Sequence, residues 1–293
     1  MKLIKIIFEN IVNKFTYYGK WKQNSEIVEN WFSLYLLTTS LSLQVLSKIS
    51  FSKDFISKLP IKIKYINGNV FSVFYDKANE LHSFIFMYRL YNNNFNKYTN
   101  RTIEFTEGDV AIDLGGHVGS FSLFFMLENP NCKIYTYEAD LKNYCLIKKN
   151  FEDNQIDKRV YKVENYGVYG EETILNFSLG NTSTVGSISE VGFFKENKKN
   201  KVIQIQTKTL EQIFYENDLQ KCKILKMDIE GSEYSIFYNL KDEILNKIDN
   251  MILEVHPVSE YKPLELKIFL EEKGFTVKEL SYSNGCYDFY CYK

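Results

Sequence analysis

Lys226, Asp228 and Glu230 alternate with Leu225, Met227 and Ile229 in the stretch Ile224-Leu-Lys-Met-Asp-Ile-Glu-Gly-Ser-Glu-Tyr234. At a period of two, such residues share one face of a strand. Charges on a central strand are costly unless paired. Three in succession, ending at Gly231, therefore read as the floor of a polar site at the carboxyl edge of a sheet, where open α/β sheets bind ligands. His256 follows the apolar run Asn250–Val255 directly, in Glu254-Val-His-Pro257, which sets it over the same edge. Glu230, Asp228 and His256 are thus the polar groups gathered at that edge. The bland alternative for His256 is a strand-end imidazole bonded to backbone.

A second constellation lies upstream. Val110-Ala-Ile-Asp-Leu114 is an apolar run carrying one acid, and Gly115, Gly116 and Gly119 follow it before another apolar segment at helical spacing. Glycines at a strand end mark a tight turn into a helix and let backbone approach a ligand. The next predicted strand, Lys133-Ile-Tyr-Thr-Tyr-Glu138, ends in an acid about 20 residues past that turn, the spacing at which a carboxylate accepts a ribose diol. The dinucleotide fingerprint GxGxxG is not met, because His117 stands where its middle glycine should be. Asp113, just before the loop, repels a pyrophosphate but suits an ammonium. Those electrostatics favour S-adenosylmethionine, which carries an amino acid moiety and a sulfonium and no phosphate.

These groups need a sheet to hold them. Apolar runs predict strands at Val110–Leu114, Lys133–Glu138, Val160–Asn165, Ile224–Ile229 and Asn250–Val255. A final antiparallel pair is predicted around Phe275–Leu280 and Cys286–Tyr292, turned at Ser283-Asn284-Gly285. Helical patterns between the runs predict an α/β fold with a mainly parallel sheet. Two further β-like runs, Thr173–Leu179 and Val202–Thr207, bracket a Ser/Thr/Gly-rich loop over Asn181–Ser189. Before this domain, residues 1–60 read as helical, Ile61–Ile66 and Val70–Tyr75 as a hairpin across Asn67-Gly68, and Glu80–Tyr91 as a helix enclosing His82.

The 293 residues suit one large domain with an extension, and 45% hydrophobic content supports a sizeable core. A net charge of -1 gives no electrostatic case for nucleic acid. Five scattered cysteines without a CxxC pair argue for a reducing, cytoplasmic setting, and no cysteine or histidine spacing calls for zinc. Residues 30–47 carry no charge, yet Ser33, Thr38, Thr39, Ser40, Ser42 and Gln44 dilute them. Ile27, Trp31, Leu34, Leu41 and Val45 recur at helical spacing, so a docking helix is expected there rather than a membrane span. Membrane contact is expected to be at most peripheral, through Met1–Phe15.

The chain resembles the FkbM family of S-adenosylmethionine-dependent methyltransferases. The resemblance is carried by Gly108-Asp-Val-Ala-Ile-Asp-Leu-Gly-Gly-His-Val-Gly119, Tyr137-Glu-Ala-Asp140, Thr209-Leu-Glu-Gln-Ile213, Leu225-Lys-Met-Asp-Ile-Glu-Gly-Ser-Glu233 and Leu253-Glu-Val-His256. It departs at His117, where members usually have a small residue or Asn, and at Ala139-Asp140, where Pro is usual after the acid. The resemblance implies a class I methyltransferase domain over 85–293, with a seven-stranded Rossmann-like sheet, and an extension over 1–84. It implies that Gly115, Gly116, His117 and Gly119 shape the loop under the methionine portion, with Asp113 nearby. Glu138 would hold the ribose, Asp140 or the segment around Asn165 the adenine, and Asp228 and Glu230 would face the methyl group and the incoming hydroxyl, with Glu230, Asp228 or His256 as the catalytic general base. The expected reaction is O-methylation of a small-molecule or saccharide acceptor, with no metal demanded by ligand spacing. The rivals are a nicotinamide-dependent oxidoreductase and a non-catalytic S-adenosylmethionine-binding interaction protein.

Overall fold

Apolar runs bounded by glycine and polar turns become buried strands, and their order across the sheet decides where a ligand can enter. The computed structural model describes residues 61–64, 70–73, 103–179, 186–188, 201–283 and 285–293. The chain divides into two compact units, Met1–Phe86 and Met87–Lys293. In the first, β1 (Ile61–Lys64) pairs antiparallel with β2 (Val70–Val73), Ile61 opposite Val73, as the Asn67-Gly68 turn predicts. The expected helices over 1–60 and Glu80–Tyr91, with His82, lie outside the described residues.

In the second unit the elements run β3 (Val110–Leu114), α1 (Ser120–Glu128), β4 (Lys133–Tyr137), α2 (Leu141–Asp153) and β5 (Tyr161–Glu164). Then come β6 (Gly167–Val168), β7 (Ile174–Leu179), β8 (Gly186–Ile188), β9 (Lys201–Lys208) and α3 (Leu210–Glu216). The chain finishes with β10 (Ile224–Met227), α4 (Glu233–Asn239), α5 (Asp242–Leu245), β11 (Asn250–Val255), α6 (Pro263–Glu272), β12 (Thr276–Ser283) and β13 (Cys286–Tyr292). Seven strands form one sheet in the order β12-β13-β11-β10-β3-β4-β5, parallel except for β13, which runs against both its neighbours. This is the expected seven-stranded, mostly parallel Rossmann-like sheet. The chain leaves β3 toward β4 on one side and returns to β10 on the other, so the sheet's topological switch point lies between β3 and β10. The crevice there is where doubly wound sheets bind ligands.

All seven expected strands are present, with two shifts that matter. The strand expected to reach Ile229 stops at Met227, because the backbone turns at Glu230 (φ 56) and Gly231 (φ 107). The expected Asn181–Ser189 loop contributes β8, which pairs with β7 in a separate four-stranded sheet, β6-β9-β7-β8. The core lies on both faces of the main sheet. Helix α1 buries Phe121, Leu123, Phe124, Phe125 and Met126, as a helix apolar on all sides must. On the other face Leu210, Ile213 and Phe214 of α3 and Tyr234, Ile236 and Phe237 of α4 join one cluster with Leu225, Met227 and Leu253. No helix of the described residues is long and apolar enough to cross a membrane.

Candidate active site

The glycine loop is locked to the strands beside it. Gly115 has φ 78, and a Cβ there would stand 1.9 Å from the carbonyl oxygen of Asp228. Only glycine fits. A Cβ at Gly116 would meet Thr136 Cγ2 at 2.5 Å, and one at Gly119 would press Ile147 of α2 at 3.2 Å. The loop's amides point inward. Gly115 N and Gly116 N both donate to Tyr137 O at 3.0 Å, Gly119 N donates to Gly116 O at 2.8 Å, and His117 N donates to Glu138 Oε2 at 2.7 Å. A pyrophosphate cradle presents such amides to its ligand instead, so the nicotinamide reading loses its anchor.

Beneath the loop runs a buried polar chain. Thr136 Oγ1 and Ser122 Oγ lie 2.7 Å apart, and Ser122 donates to Asp113 Oδ2 at 2.5 Å. Lys226 Nζ stands 3.5 Å from Asp113 Oδ1 and 3.7 Å from Asp228 Oδ2, and donates to Gly115 O at 2.8 Å. Burial opposes the Lys226 ammonium, but Asp113 and Asp228 outweigh it and hold the pKa above the ordinary lysine value. Burial raises Asp113 in turn, with Lys226 the largest opposing influence. Asp113 has no exposed surface. The structure thus corrects its expected place beside a ligand ammonium: it braces the loop from below.

Glu138 closes the cofactor side. Its Oε1 accepts from Asp140 N at 2.8 Å, its Oε2 from His117 N, and burial pushes the carboxyl up to about 7. Each carboxylate oxygen keeps further lone pairs after one amide bond. His117 holds a left-handed backbone (φ 51), and burial pushes its imidazole down to about 4, so it is neutral at pH 7. Asp140 caps α2 by accepting from Lys142 N at 2.9 Å. Asn165 Nδ2 donates to the carbonyls of Glu138 and Ala139 at 2.8 and 3.0 Å, pinning the end of β4. Both lie partly exposed on the rim.

Across the switch point the geometry differs. Asp228 N donates to Leu114 O at 3.1 Å, and the left-handed turn at Glu230, rather than strand alternation, swings that carboxylate to the edge. There Glu230 Oε2 stands 3.4 Å from His256 Nε2, and Glu254 Oε1 stands 3.6 Å from the same nitrogen. His256 is 3% exposed, and its Nδ1 is 3.0 Å from Oε1 of Glu233, the first residue of α4. Tyr234 Oη donates to His256 O at 2.9 Å. Burial works against a charged His256, but the Glu233 hydrogen bond and charge, with Glu230 behind them, raise its pKa to about 11. The imidazole is therefore a cation at neutral pH and already holds the proton a base would have to accept. Burial raises Glu230 to about 8; the neighbouring Asp228 charge, then burial, raises Glu254 to about 8.

The structure thus brings Asp228, Glu230 and His256 together and adds Glu233 and Glu254, to which sequence reasoning gave no role. Glu254 pairs in register with Asp288 of β13, which accepts from Ser281 Oγ. Inward-turned amides on one side and a row of carboxylates on the other fit a cofactor that carries positive charge and no phosphate.

Comparison of the sequence with a family model agrees. The family model described as "Methyltransferase FkbM domain" matches residues 113–277. "Methyltransferase 1" of Beauveria bassiana is 24% identical over 188 residues, covering 59% of this chain and 74% of the relative. The "31-O-demethyl-FK506 methyltransferase FkbM" of Streptomyces tacrolimicus is 23% identical over 202 residues, covering 61% and 77%. A precorrin-6y C5,15-methyltransferase structure from Geobacter metallireducens aligns with a TM-score of 0.40 at 12% identity, covering 65% of this chain and 82% of that one. With its family model spanning more than half of its residues, the chain belongs to the FkbM family of S-adenosylmethionine-dependent methyltransferases.

Proposed function

We propose that the protein transfers the methyl group to a hydroxyl oxygen of a saccharide or glycoconjugate. One observation carries this reading: the cofactor loop and the Asp228–Glu230–His256 group converge at one switch point, with Glu254 beside them. S-adenosylmethionine supplies a sulfonium methyl carbon: an oxygen–carbon bond forms as the sulfur–carbon bond breaks, and a neutral thioether leaves.

The chain's own residues do the rest. Glu138 accepts the ribose hydroxyls, Gly115–Gly119 underlie the methionine portion, and the rim at Asp140 and Asn165 borders the adenine. Asp228 faces the sulfonium side, where its charge stabilises a cation. The acceptor hydroxyl must lose its proton, and His256, already protonated, cannot take it. Among the carboxylates at the edge, Glu254 has 45% of its side chain exposed, against 35% for Asp228 and 16% for Glu230. Glu254 therefore reaches an incoming acceptor best and, once ionised above its raised pKa of about 8, can take the proton and pass it on to water, so we assign it the general base. A polyhydroxylated acceptor also suits an edge where Glu254 and Asp288 stand side by side as hydrogen-bond acceptors. The O-methyl transfer in the name of the Streptomyces tacrolimicus relative supports the reaction class.

The test is transfer of a labelled methyl group from S-adenosylmethionine to a panel of glycosides, with the product located by mass spectrometry. Methyl on a sugar oxygen supports the reading. Methyl on carbon or nitrogen refutes it, and folded, cofactor-binding protein that transfers nothing supports the non-catalytic rival.

A further inference from the structure

An alcohol oxygen gains negative charge as it gives up its proton, yet two of the three side chains that ring its place are carboxyls. Asp228, and Glu230 above its raised pKa of about 8, repel an alkoxide, and once ionised neither can donate a hydrogen bond to it. We infer that Asp228, Glu230 and His256 bind a divalent metal cation of the hard, oxygen-preferring class, such as Mn2+ or Mg2+. The use of that ion in holding the acceptor oxygen rests on the reading above; the ligand set itself does not.

One oxygen from each carboxylate and one imidazole nitrogen all lie within 4.8 Å of one another. Two atoms bound to one ion at about 2.1 Å stand about 3 to 4 Å apart, so modest side-chain rotation closes the set. Two carboxylates and an imidazole are a donor combination that such ions accept.

A second observation comes from behind the imidazole. Glu233 is fully buried, engages His256 Nδ1 through Oε1 at 3.0 Å, and leaves Oε2 without a hydrogen-bond partner. Metal-binding histidines almost always give their second nitrogen to such a group, which fixes the ring and strengthens the donor. That contact turns Nε2 to the edge, toward Glu230. A buried carboxylate with a spare oxygen is costly unless positive charge stands close by; the protonated imidazole supplies it in the metal-free chain, and an ion that displaces the Nε2 proton to solvent keeps it one ring away. Lys226 is committed elsewhere, between Asp113 and Asp228 with a hydrogen bond to Gly115 O. Glu254, His256 and Cys286 form an overlapping set that shares the imidazole, but its thiol belongs to softer ions.

The test titrates the full chain with Mn2+ at neutral pH, reading bound ion by calorimetry and by loss of the free-ion electron paramagnetic resonance signal. One ion per chain is expected. Glu230→Gln and His256→Ala should each weaken binding at least about tenfold, Glu233→Gln about 10- to 100-fold, and Cys286→Ser should leave it unchanged. S-adenosylmethionine binding by the same samples shows that each variant is folded. Cofactor-binding protein that takes up no Mn2+ below about 1 mM overturns the inference. So does binding untouched by Glu230→Gln and His256→Ala, or binding lost in Cys286→Ser. Mn2+ bound as expected without methylation of any hydroxyl would sink the acceptor reading and leave the metal site standing.

Discussion

The two halves of the carboxyl edge handle polar groups in opposite ways. On the β3–β4 side, Glu138 is answered by two backbone amides, Asp113 by Ser122 and Lys226, and the glycine-loop amides by Tyr137 and Gly116 carbonyls. On the β10–β11 side, Asp228, Glu230, Glu233 and Glu254 crowd around one imidazole; Glu233 Oε2 is buried without a hydrogen-bond partner, as is Asp113 Oδ1 on the first side, where Lys226 stands 3.5 Å away. Satisfied buried polar networks rigidify a structure, whereas crowded like charges cost stability unless something cationic joins them. The first half reads as a finished mould for a bound cofactor. The second is set for chemistry. Damage to the first should appear as lost stability or cofactor affinity, and damage to the second as lost turnover.

The sharpest way to break the first half is Gly115→Ala. Its methyl would collide with Asp228 O in a left-handed backbone, so we expect a loss of about 4 kcal/mol from strain and overpacking together, read by denaturant unfolding. Next comes Ser122→Ala, which removes the 2.5 Å hydrogen bond to buried Asp113 and should cost about 2 kcal/mol of stability. Its turnover at saturating cofactor should stay near that of the parent. A large fall in turnover without loss of stability would contradict the division.

The smallest effect concerns pH. Burial raises Glu138 above its unfolded pKa to about 7, so the folded protein without cofactor binds the extra proton. That carboxyl's contribution to stability is full below the unfolded value and is lost as pH rises through about 7. Ribose hydroxyls donate to the ionised form, so cofactor binding must expel that proton at lower pH. Affinity should therefore fall by up to about tenfold per pH unit as pH drops from about 7 toward 5. Glu138→Gln should flatten the slope, and calorimetry across this range checks it.

Much of the fold was legible because its strands are unbroken apolar runs and its turns carry glycine. Asp228, Glu230 and His256 were legible because each stands at the end of such a run. What sequence alone could not show depends on backbone that leaves the pattern. Alternation continues through Ile229, but the strand stops at Met227, since a left-handed turn at Glu230 cannot be read from side-chain periodicity. Glu233 reads as an ordinary acid in the first turn of a helix, favourable there in any case. Its contact with His256 spans 23 residues and exists only once α4 packs beside β11. Glu254 looks like the polar member of an alternating strand, and Asp113, at the end of its apolar run, like a partner for a ligand ammonium until the Ser122 and Lys226 contacts enclose it. β6 and β8 are too short to leave a pattern.

The central claim is that the β10–β11 half performs the transfer while the β3–β4 half only holds the cofactor. Single-turnover methyl transfer by Glu254→Gln, with S-adenosylmethionine saturating, tests it most directly. The account predicts transfer slower by about 10²- to 10⁴-fold, with cofactor affinity within about threefold of the parent, since Glu254 lies outside the cofactor loop. Transfer at the parental rate, or a loss explained wholly by weaker cofactor binding, would contradict it.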